Sequence, residues 1–203
     1  MPWKCFLTEP SEYSQKSFRR YSGGSKCDIP KTKIHDAEIV IDPQILASLV
    51  EDAGTIPDED DMSDPRWPKV CGCGYKFHVE DSWQQNVTRL YQGSPDGNLY
   101  ILRDLPIGAM WDAHWLKDAT PDRYTGPDGK AWCVMMPGGV EWIVYSYATG
   151  PEPRSKWAVQ GTVPNITVHP SINLVGIYHG FVTSGVISED CEQRKFEGVP
   201  RTA

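Results

Sequence analysis

A cysteine and a glutamate flank a turn in the segment 132–142, which reads Trp-Cys-Val-Met-Met-Pro-Gly-Gly-Val-Glu-Trp. A Pro-Gly-Gly turn between two apolar runs predicts a β-hairpin. If the loop is Pro137–Gly139, Cys133 stands opposite Ile143. Since side chains on a strand alternate between faces, Cys133 and Glu141 then emerge on one face, about 7–8 Å apart at the backbone. A two-residue loop would send Glu141 to the other face, so the register decides whether the two side chains share a site.

Two histidines follow on or beside predicted strands. His169 and His179 are separated by a break at Pro170, which could fold the chain so that both imidazoles converge. A thiolate and neutral imidazoles are good zinc ligands, and three protein ligands with an open position are typical of catalytic zinc. We therefore predict a zinc site at Cys133, His169 and His179, with Glu141 as acid and base for the activated water. The alternative for each residue alone is a packing role.

The stretch 131–186 resembles the CEHH domain family, which is named for a Cys, a Glu and two His. The matching pattern is Trp-Cys-x5-Gly-x-Glu-Trp, then Trp157-x3-Gly161-x2-Pro164-x2-Thr167-x2-Pro170-Ser171-Ile172, then His179-Gly180-Phe181 with Gly185. Cys133, Glu141 and His179 match in order and context. The first histidine is assigned to His169, with His114 as a competitor.

The CEHH family occurs in phages and in bacterial operons that encode ubiquitin-like conjugation enzymes. The resemblance implies metal binding, and a hydrolytic activity has been suggested for the family. A ubiquitin-like or peptide substrate is implied only by the genes that accompany the family.

A third group of candidate ligands is the pair Cys71 and Cys73, with one glycine between them. Two thiolates at this spacing can bind a metal, although Cys-x2-Cys is the commoner half of a zinc site. The pair therefore predicts a second zinc site, separate from or adjoining the first. The residues that could complete it are His78, Cys133, Cys27 and Cys191. Free thiols in a glycine-rich turn and a redox pair are the alternatives.

Composition excludes several classes of protein. The 203-residue chain carries a net charge of −7, which argues against a nucleic-acid partner. No run approaches the roughly 20 apolar residues of a membrane span. The first residues lack the plan of a secretory signal, so we expect an intracellular protein, in the cytoplasm of a host cell or in a virion if the chain is phage-encoded, whose cysteines are reduced or metal-bound.

The first part of the chain, 1–65, is polar and is interrupted by glycine and proline residues. We expect residues 1–36 to form an arm, ordered only where it packs, followed by a short strand at 38–41. Asp42 and Pro43 are typical of a helix start, and Gly54 of its end. The run 55–68, with Asp58–Asp61, predicts an acidic linker. The arm also predicts a protein partner or self-association, because it mixes aromatic and basic residues, namely Tyr13, Phe18, Arg19, Arg20 and Tyr21.

The second part, 66–203, alternates β-branched and aromatic residues with turn signals and predicts one compact β-rich α+β domain of antiparallel strands and hairpins with few helices. One helix is expected at Gly108–Leu116. The candidate strands are Asn98–Arg103, Ala131–Met136, Val140–Tyr147, Ile166–His169, Gly176–Thr183 and Val186–Ser188.

Residues and resemblance together favour a zinc-binding, phage-type protein of unknown role. If it is an enzyme, we expect a metal-dependent hydrolase of an amide or related bond. The alternative is a non-enzymatic phage structural, accessory or host-interaction protein with a structural zinc site. The two differ in Glu141, which the hydrolase needs and the structural protein does not.

Overall fold

A computed structural model describes residues 2–23, 27, 34–41, 43–48, 63–119, 121–146 and 157–196, with the backbone alone at 121 and 122. The chain divides into two compact units. Unit 1 comprises Met1–Pro10 and Tyr91–Ala203, and unit 2 comprises Ser11–Leu90. No helix in these described ranges has the length and apolar character needed to cross a membrane.

The described elements are mostly short strands, which confirms the β-rich α+β prediction. Helical elements are a 3-10 helix (Leu102–Asp104), α1 (His114–Ala119) and α2 (Pro121–Tyr124). The strands in chain order are β1 (Trp3–Lys4), β2 (Phe6–Leu7), β3 (Glu9–Ser22), β4 (His35–Val40), β5 (Gln44–Ile45), β6 (Ser82–Gln92), β7 (Tyr100–Ile101), β8 (Ala109–Asp112), β9 (Trp132–Met136), β10 (Val140–Ile143), β11 (Ala158–Gln160), β12 (Thr167–His169), β13 (Ile172–Leu174), β14 (Tyr178–Gly180), β15 (Val182–Thr183) and β16 (Val186–Ile187).

Unit 1 is organised by a four-stranded sheet in the order β10-β9-β8-β2. Every residue of β9 is buried, because the strand lies between β8 and β10 and contributes to hydrophobic clusters on both of its faces. The β9–β10 hairpin has the predicted register, with Met136 opposite Val140 and Cys133 opposite Ile143. The three-residue loop that places Cys133 and Glu141 on the same face is therefore confirmed.

Smaller antiparallel pairs complete the described part of unit 1. These are β11–β12, β13–β14 and the three-stranded β1-β16-β15. Side chains from these pairs bury Ile166, Val168, Ile172, Tyr178 and Ile187 in one cluster with Trp142. Short strands joined by tight turns thus build a core in which no single element is long.

The helix predicted at Gly108–Leu116 is wrong over its first half. Residues Ala109–Asp112 form β8, which pairs with β9 antiparallel and with β2 in parallel, and α1 begins only at His114. Ala109, Met110 and Trp111 are each fully buried. A short run buried on both faces has no period that separates a strand from a helix, so the sequence pattern could not distinguish the two.

Unit 2 is built on β3, which differs from the polar arm expected at residues 1–36. This 14-residue strand lies between β4 and β6, and the short β5 also pairs with it. Phe18 and Arg20 are fully buried and contact Trp67, at 5.7 Å between ring centroids and 5.0 Å from guanidinium to ring centroid. Because serines, a lysine and an arginine occupy most buried positions of β3, the strand does not show an apolar pattern.

The division of the chain also differs from the expected boundary at 65/66. Since β3 lies beside both β4 and β6, residues 11–48 and 63–90 belong to one unit. The short strand expected at 38–41 is the second half of β4. Helical residues 46–48 follow β5, and the rest of the helix predicted to Gly54, like the acidic run Asp58–Asp61, lies outside the described residues.

Gly108, the residue before β8, lies against the backbone of Lys4 and gives a test of that contact. Its φ is +93°, and an added Cβ would lie 2.4 Å from the carbonyl oxygen of Lys4. Gly97 has a φ of +75° with no atom within 4 Å of the same position. We expect Gly97→Ala to cost about 1 kcal/mol for its φ alone, and Gly108→Ala to cost about 1–3 kcal/mol more because backbone atoms must move.

Urea unfolding of the two variants measures this difference in the free energy of unfolding. Equal losses would show that the close approach of Gly108 to Lys4 is not part of the folded protein.

Candidate metal centre

Four side chains of unit 2 converge in one place. The ligand atoms of Cys27, His35, Cys71 and Cys73 all lie within 4.8 Å of one another. Cys71 and His35 are buried, and Cys27 and Cys73 are half-buried. Within the described ranges, this is the one group of three or more Cys, His, Asp or Glu side chains close enough to share a metal ion.

A tight turn positions Cys71 and Cys73. The N–H of Cys71 donates to the carbonyl of Tyr75 at 2.9 Å, and the N–H of Gly74 donates to the carbonyl of Cys71 at 2.8 Å. Val70 and Lys76 form an antiparallel bridge on either side. Gly74 has a φ of +93°, a conformation that favours glycine, so the Cys-Gly-Cys-Gly sequence is suited to this turn. Both sulfurs consequently emerge on the side where β4 begins.

His35 is the first residue of β4 and is held by an aromatic stack. Its ring lies parallel to that of Tyr75, with 4.0 Å between centroids and 7° between planes. The hydroxyl of Tyr75 donates to the carboxylate of Asp81 at 3.2–3.3 Å. The Nδ1 atom of His35 is 3.2 Å from the sulfur of Cys73. The stack therefore orients the imidazole with one nitrogen towards the thiols.

The spacing of the sulfurs suits a shared ion and not a disulfide. The Cys27 and Cys71 sulfurs are 3.9 Å apart, against about 2.0 Å for an S–S bond. Two sulfurs bound tetrahedrally to zinc at about 2.3 Å lie about 3.8 Å apart. The His35–Cys73 distance is a few tenths of an ångström shorter than the roughly 3.5 Å expected for such a nitrogen and sulfur. These two distances are therefore close to those of a tetrahedral zinc site.

The two cysteines of the turn differ in pKa, and only Cys71 favours the negatively charged thiolate. Burial raises the pKa of Cys71, but backbone N–H groups of Cys73 and Asp36 and the side chains of His35 and Cys73 donate to its sulfur and lower the pKa to about 6. At Cys73, the backbone N–H of Tyr75 lowers the pKa, while burial and the neighbouring Cys71 and Cys27 raise it above its ordinary value. One thiolate forms readily, and further thiolates require a cation to offset their mutual repulsion.

The sequence pointed to two of these four residues and named a third as a candidate. Cys71 and Cys73 were the predicted second site, and Cys27 was among the residues that could complete it. His35 was missed, because it lies in a segment interpreted as a polar arm. The spacing Cys27-x7-His35, followed by Cys-x-Cys, is the only signal in the sequence that could have indicated it.

Cys133 has different surroundings. It is buried in β9 among the apolar residues of unit 1, in the cluster that contains Trp111 and Met135. Burial, with smaller contributions from the carboxylates of Glu141 and Asp112, raises the pKa of its thiol to about 12. Glu141 is exposed opposite Met135. The Cys133 thiol is therefore protonated near neutral pH in the metal-free protein.

The predicted histidine ligands lie elsewhere in unit 1. His169 is an exposed residue of β12 opposite Ala158. His179 in β14 has its Nε2 atom 3.2 Å from the hydroxyl of Ser171. His114, the competitor, is exposed at the start of α1, with its ring edge-to-face against Trp115. In the described part of the chain these imidazoles do not join Cys133 in a metal-binding group, and the catalytic site stays a prediction.

No protein-family model, curated protein or solved structure matches the chain. The resemblance to the CEHH family therefore depends on the motif residues themselves.

The unequal thiols give a pH prediction for the metal-free protein. As the pH is raised, the ultraviolet absorbance of thiolate should increase in a step with its midpoint near pH 6. The size of the step should correspond to one cysteine, because Cys71 ionises at about that pH. Cys71→Ser should abolish this step. Cys133→Ser should leave it unchanged, since the Cys133 thiol ionises only at about pH 12. A step that survives Cys71→Ser would contradict the assigned hydrogen bonds around its sulfur.

Proposed function

We propose that this chain is a zinc-binding protein in which one ion, held by Cys27, His35, Cys71 and Cys73, stabilises unit 2. The observation that carries the proposal is the convergence of these four donor atoms within 4.8 Å. The proposal favours the structural-zinc alternative over a catalytic zinc site.

The chemistry of the donors supports zinc. Three sulfurs and one imidazole nitrogen form a Cys3His set, which is common in structural zinc sites, whereas calcium and magnesium prefer oxygen ligands. Four protein ligands fill a tetrahedral shell. A filled shell leaves no position for the water that a metal-dependent hydrolase activates. The ion bound here therefore acts on the fold rather than on a substrate.

The composition of unit 2 gives the ion a physical role. Both hydrophobic clusters of the described residues consist of unit 1 side chains. Unit 2 buries Phe18, Trp67, Phe77 and Leu90. Most buried positions of its strand β3 are nevertheless polar or charged, and these contribute little apolar surface. Small domains with too little apolar core commonly depend on a structural metal. Zinc binding contributes on the order of 10 kcal/mol in small zinc-dependent domains, which is large beside what a small apolar core supplies.

The positions of the ligands along the chain match this role. Cys27 lies between β3 and β4, His35 begins β4, and Cys71 and Cys73 lie in the turn that precedes β6. One ion therefore ties the β3–β4 connection to a turn more than 35 residues further on. Closing a loop of this length removes conformational freedom mainly from the unfolded chain.

Elemental analysis of protein made without a metal-affinity tag tests the proposal. We expect about one zinc ion per chain in the wild type. His35→Ala and Cys73→Ser each remove a ligand and should lose the ion and lower the stability of unit 2. Cys133→Ser, His169→Ala and His179→Ala serve as matched controls, each removing a donor of the same type, and should retain it.

The reverse pattern would contradict the proposal. Zinc that survives His35→Ala and Cys73→Ser but is lost in Cys133→Ser and His179→Ala would establish the site predicted at Cys133, His169 and His179. In that case, Glu141→Gln tests for a catalytic base, because it should abolish turnover and leave the zinc bound.

A further inference from the structure

A second polar network lies in unit 1, on the paired strands β13 and β14. Ser171 immediately precedes β13, and His179 lies in β14 opposite Asn173. The Ser171 hydroxyl oxygen is 3.2 Å from Nε2 of His179. A serine hydroxyl at hydrogen-bond distance from an imidazole is the arrangement that activates serine as a nucleophile.

The other ring nitrogen of His179 faces a carboxylate. Its Nδ1 atom is 3.7 Å from Oε1 of Glu192. The second oxygen of Glu192 is 3.2 Å from the guanidinium of Arg194, which also pairs with Asp190 at 3.1 Å. Glu192 is therefore held by a cation on one side while its other oxygen faces the imidazole.

Buried backbone contacts fix this carboxylate segment to β14. Asp190, whose side chain is fully buried, accepts the N–H of His179 at 2.9 Å and the N–H of Glu192 at 2.7 Å. The N–H of Cys191 donates to the carbonyl of His179 at 2.7 Å. The fold thus fixes the backbone of residues 190–192 against β14, and the exposed Glu192 side chain approaches the imidazole from there.

The network is accessible to a small molecule. The His179 side chain is 32% exposed. A cavity of about 480 Å³ adjoins the network through Asp190 and Arg194, and its other lining residues are Trp3, Glu189, Gln193, Lys195 and Phe196. Its wall carries two aromatic rings, two cations and two carboxylates, so it can hold an acyl group with both apolar and polar parts.

We propose that Ser171, His179 and Glu192 form a metal-independent acyl-transfer site for carboxylic esters or thioesters. Ser171 Oγ attacks the acyl carbon, and its proton passes to Nε2 of His179. His179 then returns the proton to the leaving alcohol or thiol, whose bond to the acyl carbon breaks. Water hydrolyses the acyl-serine by the same proton transfers. Glu192 is a positioning residue, because it orients the imidazole without contacting the substrate.

Reaction with a fluorophosphonate probe tests the site in the full-length protein. Ser171 Oγ forms a bond to phosphorus, the phosphorus–fluorine bond breaks, and fluoride leaves with the proton passed on by His179. We expect one adduct per chain, mapped by peptide mass spectrometry to Ser171. His179→Gln should slow labelling about 100-fold or more, the usual effect of losing a general base.

Two further variants separate activation from folding. Glu192→Gln changes an exposed side chain and should lower the maximal labelling rate without changing the probe concentration that gives half of it. Ser188→Ala is the matched control, since Ser188 lies in the same unit, where its Oγ accepts the N–H of Phe181 and donates to the carbonyl of Glu189, and it should label like the wild type. A wild-type protein without an adduct at Ser171, or labelling that His179→Gln leaves unchanged, would overturn the proposal.

Discussion

Mutual repulsion among thiolates a few ångströms apart is the constraint on which the described part of unit 2 depends. Cys27, Cys71 and Cys73 cannot all be thiolates at this distance unless a cation lies among them. The backbone N–H groups around the Cys71 sulfur make the first negative charge easy to form, with a pKa of about 6. The raised pKa of Cys73 shows the cost of a second charge. The divalent ion that we propose would remove that cost and would link strand β4 to the Cys71–Cys73 turn.

The two units are stabilised in different ways. Unit 1 buries large side chains such as Trp111, Trp142 and Tyr178 in two apolar clusters. Unit 2 buries the charged Arg20 against Trp67 and places serines at further interior positions of β3. Buried polar groups need partners, and their net contribution to stability is small.

How much of the structure could be predicted from sequence depends on how far apart in the chain the interacting residues lie. The Pro-Gly-Gly turn gave the register of β9 and β10, because a tight turn and the period of two determine which residues face each other. The Cys71–Cys73 pair indicated a metal site for the same reason, since both ligands lie in one turn. The position of His35 is set by the pairing of β4 with β3, which no local sequence pattern indicates. The strand Ala109–Asp112 is buried on both faces, so its sequence has no hydrophobic period that identifies a strand. The convergence expected of Cys133, His169 and His179 also required long-range placement that spacing alone could not supply.

Zinc K-edge X-ray absorption spectroscopy of the purified protein tests the central claim most directly, because it reports the atoms bound to the ion. The account predicts three sulfur ligands at about 2.3 Å and one imidazole nitrogen at about 2.0–2.1 Å. A shell with one sulfur and two imidazoles would instead indicate a site at Cys133, His169 and His179. A shell made only of nitrogen and oxygen would contradict a thiolate site altogether.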